Sequence, residues 1–224
     1  MRTVYHGSKD IIEIPTFGKG KKYNDYGLGF YCTEDIGLAF EWAVDLRRDG
    51  YANEYMIDDS GLSILNLNDE NFTVLHWLSL LFENRHFDMP SPLAAEAKAY
   101  IAEFFGVEYK NYDIIIGYRA DDSYFSFAQD FISGTISYRQ LANAMKLGNL
   151  GEQIVLKSRK AFESLQYIGA ERAAADEWFP KKENRDKRAR RDYFDTEKNR
   201  RQRGDIYITQ IMDEEMKADD PRLR

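Results

Sequence analysis

Three short stretches carry residue types that could meet a ligand. The first is Gly27-Leu28-Gly29-Phe30-Tyr31. Its two glycines lack a Cβ, so the backbone can turn sharply or lie close to another molecule. Tyr31 follows at once with a flat ring. The second stretch is Tyr5-His6-Gly7-Ser8, at the exit of a predicted opening strand. The third is Leu150-Gly151-Glu152-Gln153-Ile154-Val155-Leu156: a glycine, one acid, and a run that reads as a buried strand. What they offer is an aromatic face, an imidazole and one carboxylate, beside backbone that a ligand can approach.

The order of these stretches resembles the ADP-ribosyltransferase superfamily, on the His-Tyr-Glu side typified by diphtheria toxin and the poly(ADP-ribose) polymerases. That family runs His-Gly, then Gly-x-Gly-x-Tyr into a helix, then a Glu opening an apolar strand. Here the matching residues are His6-Gly7, Gly27-x-Gly29-x-Tyr31 and Glu152. The chain is also similar to an uncharacterised bacterial family assigned to that superfamily. The resemblance implies an α+β fold with a split β-sheet core and inserted helices. It also implies NAD as substrate, with no metal.

Breaking the nicotinamide–ribose bond passes through an oxocarbenium-like transition state, as in glycoside cleavage. A catalyst must fix the nicotinamide, hold the ribose and place negative charge near the developing cation. By resemblance, the Gly7 backbone would bond the nicotinamide amide, with Ser8 and Gly29 beside it. His6 would bond a ribose hydroxyl, and Tyr31 would stack on the ring. Glu152 would stabilise the cation and orient the acceptor. Trp42, eleven residues after Tyr31, would be a second stacking wall. Ala39 stands where the polymerases carry a serine, which removes one nicotinamide hydrogen bond. Arginine-modifying toxins carry Glu or Gln two residues before the catalytic Glu; Leu150 stands there, which disfavours arginine as acceptor.

Each of these has a plainer reading, His6 capping the first strand, Tyr31 and Trp42 as core and Glu152 as a surface acid at a strand start, and other residues have two readings as well. Arg119, after an apolar strand, has a fork that suits NAD phosphate oxygens; otherwise it pairs locally. Asp121 or Asp122 could serve the acceptor, or Asp122 or Ser123 could cap the next helix. His76 reads as a core or boundary residue, and His86 as a residue of a polar turn. Between Lys181 and Arg203 eleven basic and five acidic residues give +6, which leaves −13 on the rest of a chain of net charge −7. That segment is either a solvated helix with i,i+4 pairs or an arm for a nucleic-acid acceptor or an acidic partner such as an antitoxin.

The elements that must position these residues follow from pattern. Thr3 to Tyr5 reads as a strand, and residues 9–26 as a loop. Thr33 is a candidate N-cap for a helix over 34–48 that Gly50 ends. Strands are predicted at 53–59, 62–67, 113–117 and 152–158, with 164–168 pairing to the last. Helices are predicted at 70–84, 91–105, 123–132, 137–147, about 170–202 and 206–216. The organisation expected is a catalytic domain over 1–170 and a charged helical C-terminal extension over 171–224.

The 224 residues are 43% hydrophobic, enough for a core. A single cysteine allows no internal disulfide. The N-terminus has no apolar signal region, and no run approaches a membrane span, so a cytoplasmic setting is expected. The reading is NAD-dependent mono-ADP-ribosyl transfer to a protein or nucleic acid, in the manner of a bacterial toxin or phage-defence effector. The alternatives are an NAD glycohydrolase and a non-catalytic NAD- or nucleic-acid-binding module.

Overall fold

A computed structural model describes residues 1–120, 122–147 and 151–223. The architecture is α+β, built on two small sheets. One holds β1 (Arg2–Ser8), β3 (Gly50–Ile57) and β7 (Leu165–Ala173) in the order β1-β3-β7, all antiparallel. The other holds β2 (Phe30–Cys32), β4 (Ile64–Asn66), β5 (Ile114–Tyr118) and β6 (Glu152–Leu156) in the order β2-β6-β5-β4. Its only parallel pair among these strands is β4 with β5. A bridge between Tyr5 and Thr33 joins the two sheets, with N–H···O bonds of 2.7 and 3.0 Å.

Apolar alternation explains the layers. Val4, Tyr55 and Ile57 of the first sheet face Phe30, Cys32, Ile116 and Leu156 of the second. On the far side of the second sheet, Leu65, Ile115 and Val155 enter a larger core. That core is built by α2 (Val74–Asn84), α3 (Pro92–Phe104), α4 (Asp122–Ile132) and α5 (Tyr138–Ala144). Ile114, Ile115 and Ile116 are thus covered on both faces, as expected of a central strand. On the outside of the first sheet, α1 (Ile36–Ala43) packs Ala39, Phe40 and Ala43 against Ala52 and Ala173.

Several boundaries differ from expectation. Asp35, not Thr33, caps α1, its side chain accepting from the N–H groups of Gly37 and Leu38. Thr33 is still extended because it is bonded to Tyr5. The helix stops at Ala43 because Val44 turns into the core, and Gly50 opens β3 rather than ending a helix. A short α6 (Arg159–Glu163), capped by Ser158, carries the chain from one sheet to the other. β7 therefore pairs with β3 and not with β6. The boundary expected after residue 170 falls inside β7. Beyond it come α7 (Ala175–Asp192), a π-helical turn (Tyr193–Lys198) and α8 (Ile208–Asp213). Tyr193, Ile208, Ile211 and Leu223 belong to the same core as α2 and α3, so the C-terminal segment is integral to the fold. No helix among the described residues is long and apolar enough to cross a membrane.

Gly7 sets the closest approach in this framework. A Cβ there would lie 2.1 Å from the Ala39 carbonyl oxygen and 2.8 Å from Trp42 Cβ. Without a side chain, β1 can lie directly on α1, which brings Trp42 beside the end of the strand.

Candidate functional site

A cleft of about 840 Å³ opens where the end of β1, the turn before β2, α1 and the segment after β5 meet. It is lined by His6, Gly7, Gly29, Tyr31, Trp42 and Arg119. Six of the eight residues expected to form a site are thus brought together.

Each is fixed by identifiable bonds. Gly27 adopts φ +72°, the left-handed region that favours glycine, and turns the chain back toward Tyr31. The Tyr31 hydroxyl donates to the Gly27 carbonyl at 2.6 Å and accepts from the Tyr26 N–H at 3.1 Å. The ring is thereby locked to its own turn, and burial pushes the phenol well above its usual range. Lys157 supports the turn from behind, donating to the carbonyls of Leu28, at 2.7 Å, and of Tyr26. Burial brings its ammonium down to about 8.

His6 stacks on Phe30 with ring centroids 4.2 Å apart. Its Nδ1 lies 2.7 Å from the Tyr31 carbonyl oxygen, which can only accept, so Nδ1 carries the proton. Burial holds the imidazole below its ordinary range, against the opposing pull of that carbonyl. The ring is therefore neutral at pH 7, with Nε2 as an acceptor. Trp42 is half-buried, with the Arg119 guanidinium 5.0 Å over its ring. One face of the indole is thus covered by a cation.

Asp25, Arg85 and Gln153, which also line the cleft, were not singled out from sequence. Asp25, 4% exposed, accepts from Arg85 Nη1 at 3.2 Å, from the Ala120 N–H at 2.9 Å and from Gln153 Nε2 at 3.2 Å. Burial raises its carboxyl, while the Ala120 N–H and the Arg85 charge oppose the rise. Gln153 is 5% exposed, and its Oε1 has no hydrogen-bond partner among the described residues. Trp42 Nε1 is likewise buried and unpartnered. The only sequence hint was position: Asp25 abuts the glycine turn, and Gln153 alternates with Glu152.

Glu152 and Ser8 are not brought into the cleft. On β6 successive side chains alternate faces, and the register with β5 turns Gln153 toward Asp25. Glu152 is exposed; it borders a separate hollow of about 170 Å³ with Thr33, Glu34 and Leu38. Its Oε1 accepts from Asn68 Nδ2 at 2.6 Å. The residue that β6 contributes to the cleft is therefore Gln153. Ser8 Oγ donates to the Asp10 carbonyl at 2.6 Å and accepts from Asn53 Nδ2 at 2.9 Å. It ties down the start of the following loop instead. Leu150 and Asp121 lie outside the described residues, as do the side chains of Asp122 and Ser123.

The charged lining is Lys19, Lys21, Arg85 and Arg119 against Glu13 and Asp25. With Asp25 engaged by Arg85, the balance is cationic, which suits a phosphate-bearing ligand. Among the described residues no group of three His, Cys, Asp or Glu is arranged to hold a metal.

These features define a mixed α+β protein with a preformed, cationic, aromatic-walled cleft. The chain belongs to the family described as Protein of unknown function (DUF3990), whose model matches residues 2–167 and so spans every cleft residue named above. No curated protein and no solved structure matches it.

Proposed function

We propose that this cleft binds NAD, and that the chain is an ADP-ribosyltransferase-like enzyme that moves ADP-ribose to a macromolecular acceptor. One observation carries the reading: His6, Gly7, Tyr31, Trp42 and Arg119, distant in sequence, line a single cleft. The Tyr31 ring would stack on nicotinamide, and the neutral His6 would accept from a ribose hydroxyl through Nε2. Arg119, with Lys19 and Lys21, would meet the diphosphate. In the reaction the bond from ribose C1′ to the nicotinamide nitrogen breaks. The electron pair leaves with nicotinamide, whose ring loses its positive charge. An acceptor nucleophile then bonds C1′ and releases its proton; with water in that role the reaction is NAD hydrolysis. Asp25 is the buried carboxyl on the cleft wall, held in place by Arg85, Gln153 and the Ala120 N–H.

The test is nicotinamide release from NAD by the purified protein, with and without a cell lysate. Release is expected from the wild type. Tyr31→Ala should lower NAD affinity about tenfold, the worth of one aromatic stack. Glu152→Ala should keep release within about twofold, as for a surface residue. Loss of release in Glu152→Ala would put that carboxylate at the reacting carbon and refute this geometry. The position of Glu152 outside the cleft favours a second reading, a module that binds NAD without turnover. Calorimetric binding of NAD with no nicotinamide released, lysate included, selects it.

A further inference from the structure

We infer that Gln153 is a ligand-binding residue that reads a ligand hydroxyl through its carbonyl oxygen, with Trp42 N–H reading an acceptor on the same ligand. The inference starts from two polar atoms that find no partner among the described residues, Gln153 Oε1 and Trp42 Nε1. Both are buried, and both residues line the cleft. A buried polar group without a bond carries a desolvation cost, and a native site that keeps one reserves it for something else.

The carboxamide cannot turn to hide its carbonyl. Its Nε2 donates to Asp25 Oδ2 at 3.2 Å. Flipping the amide would set Oε1 against that carboxylate, acceptor against acceptor. Asp25 in turn is held by the Ala120 N–H and by Arg85. The chain of contacts therefore fixes Oε1 as the atom of Gln153 left open; a carbonyl oxygen only accepts, so the group that answers it must donate. Trp42 Nε1 is a donor only, and its ring lies beside the Arg119 guanidinium. The group that answers it is an acceptor that tolerates a nearby cation, as a phosphate oxygen does. A hydroxyl and a phosphate on one ligand describe a sugar phosphate, and the ribosyl phosphate portions of NAD meet that description. The choice of NAD rests on the function proposed above; the fixed polarity of the two side chains does not.

The experiment is NAD binding measured by calorimetry for the wild type, Gln153→Met, Gln153→Glu, Trp42→Phe and Tyr31→Ala, each first checked by a thermal melt. Gln153→Met keeps the bulk and removes the acceptor, and should weaken NAD about tenfold. Gln153→Glu sits beside Asp25, where two carboxylates share a proton. Its protonated oxygen can donate to Asp25 while the carbonyl still accepts, so at acid pH binding should stay within about threefold of the wild type measured at the same pH; at higher pH the second carboxylate charge should repel the ligand phosphate and weaken binding relative to the wild type. Trp42→Phe keeps a ring and loses only the N–H, and should weaken NAD about tenfold on its own. If Gln153→Met and Trp42→Phe bind as the wild type does while Tyr31→Ala does not, the inference is overturned and the NAD reading stands. If the wild type does not bind NAD, both are overturned. Should Gln153→Met fail to melt cooperatively, Trp42→Phe and the pH dependence of Gln153→Glu decide.

Discussion

A single imidazole ties the chemistry of the cleft to pH. His6 is neutral because it is buried, and its folded pKa lies below the ordinary 6.5. Between those two values the unfolded chain binds a proton that the folded protein does not, so stability rises with pH across that window. The contribution of His6 is complete above about 6.5 and is lost as pH falls through the folded value. Protonation would also turn the Nε2 acceptor into a donor. NAD affinity is therefore expected to fall as pH drops through the folded value, at the acid end of that window, and His6→Asn should remove the His6 part of both profiles. His76 is shifted in the same direction by burial, so the melt of the wild type carries both slopes. Only the His6 slope should disappear in that variant, which a pH series of thermal melts reads directly.

At Gly7, β1 lies directly on α1. An alanine at position 7 would place its Cβ 2.1 Å from a backbone oxygen that cannot move without moving α1. Gly7→Ala is expected to cost about 1–3 kcal/mol, as overpacking does. It should also displace Trp42 from the cleft, lowering both the denaturation midpoint and ligand affinity. A second joint between elements is the ion pair from Arg185 on α7 to Glu41 on α1, at 2.7 Å, with Glu41 nearly inaccessible. Removing Arg185 leaves that carboxylate buried without its partner; Arg185→Met should destabilise by about 3 kcal/mol in a urea titration. At this scale the sequence was informative wherever one face of an element was apolar. The helix of 74–84 was legible from its apolar spacing, that of 92–104 from its Ser91-Pro92 start, and the isoleucine strand from its short apolar run. Strand partnership was not, because the pairing of β7 with β3 depends on the turn made by the short α6. Nor was the register of β6. His6, Tyr31 and Arg119 could be named because their types are informative wherever they point. Glu152 and Gln153 are neighbours of similar size, and which one enters the cleft is decided by pairing with β5.

For the whole molecule, part of the uneven charge is met by local pairs. Lys181 with Glu177, Lys187 with Glu183 and Arg190 with Asp186 each span one helical turn on α7, at 2.7 to 3.2 Å. These contacts support the reading of the basic segment as a solvated helix, and pairs of this kind contribute only a few tenths of a kcal/mol each. Replacing Lys181 and Lys187 together by Gln is expected to leave thermal stability within about 0.5 kcal/mol. It should leave NAD affinity unchanged. A steep salt dependence of nucleic-acid binding that these changes abolish would favour the arm instead.

The family match ends at residue 167, yet β7 continues to Ala173 and covers β3 along its whole length. A chain cut at the family boundary would lose the end of that strand. It would also lose Tyr193, Ile208 and Leu223 from the helical core. The unpaired part of β3 would then present free N–H and C=O groups to any other extended chain, the geometry from which edge-to-edge aggregation starts. For anyone preparing this protein, insolubility of the shortened form would be a property of the cut and would carry no information about toxicity or activity.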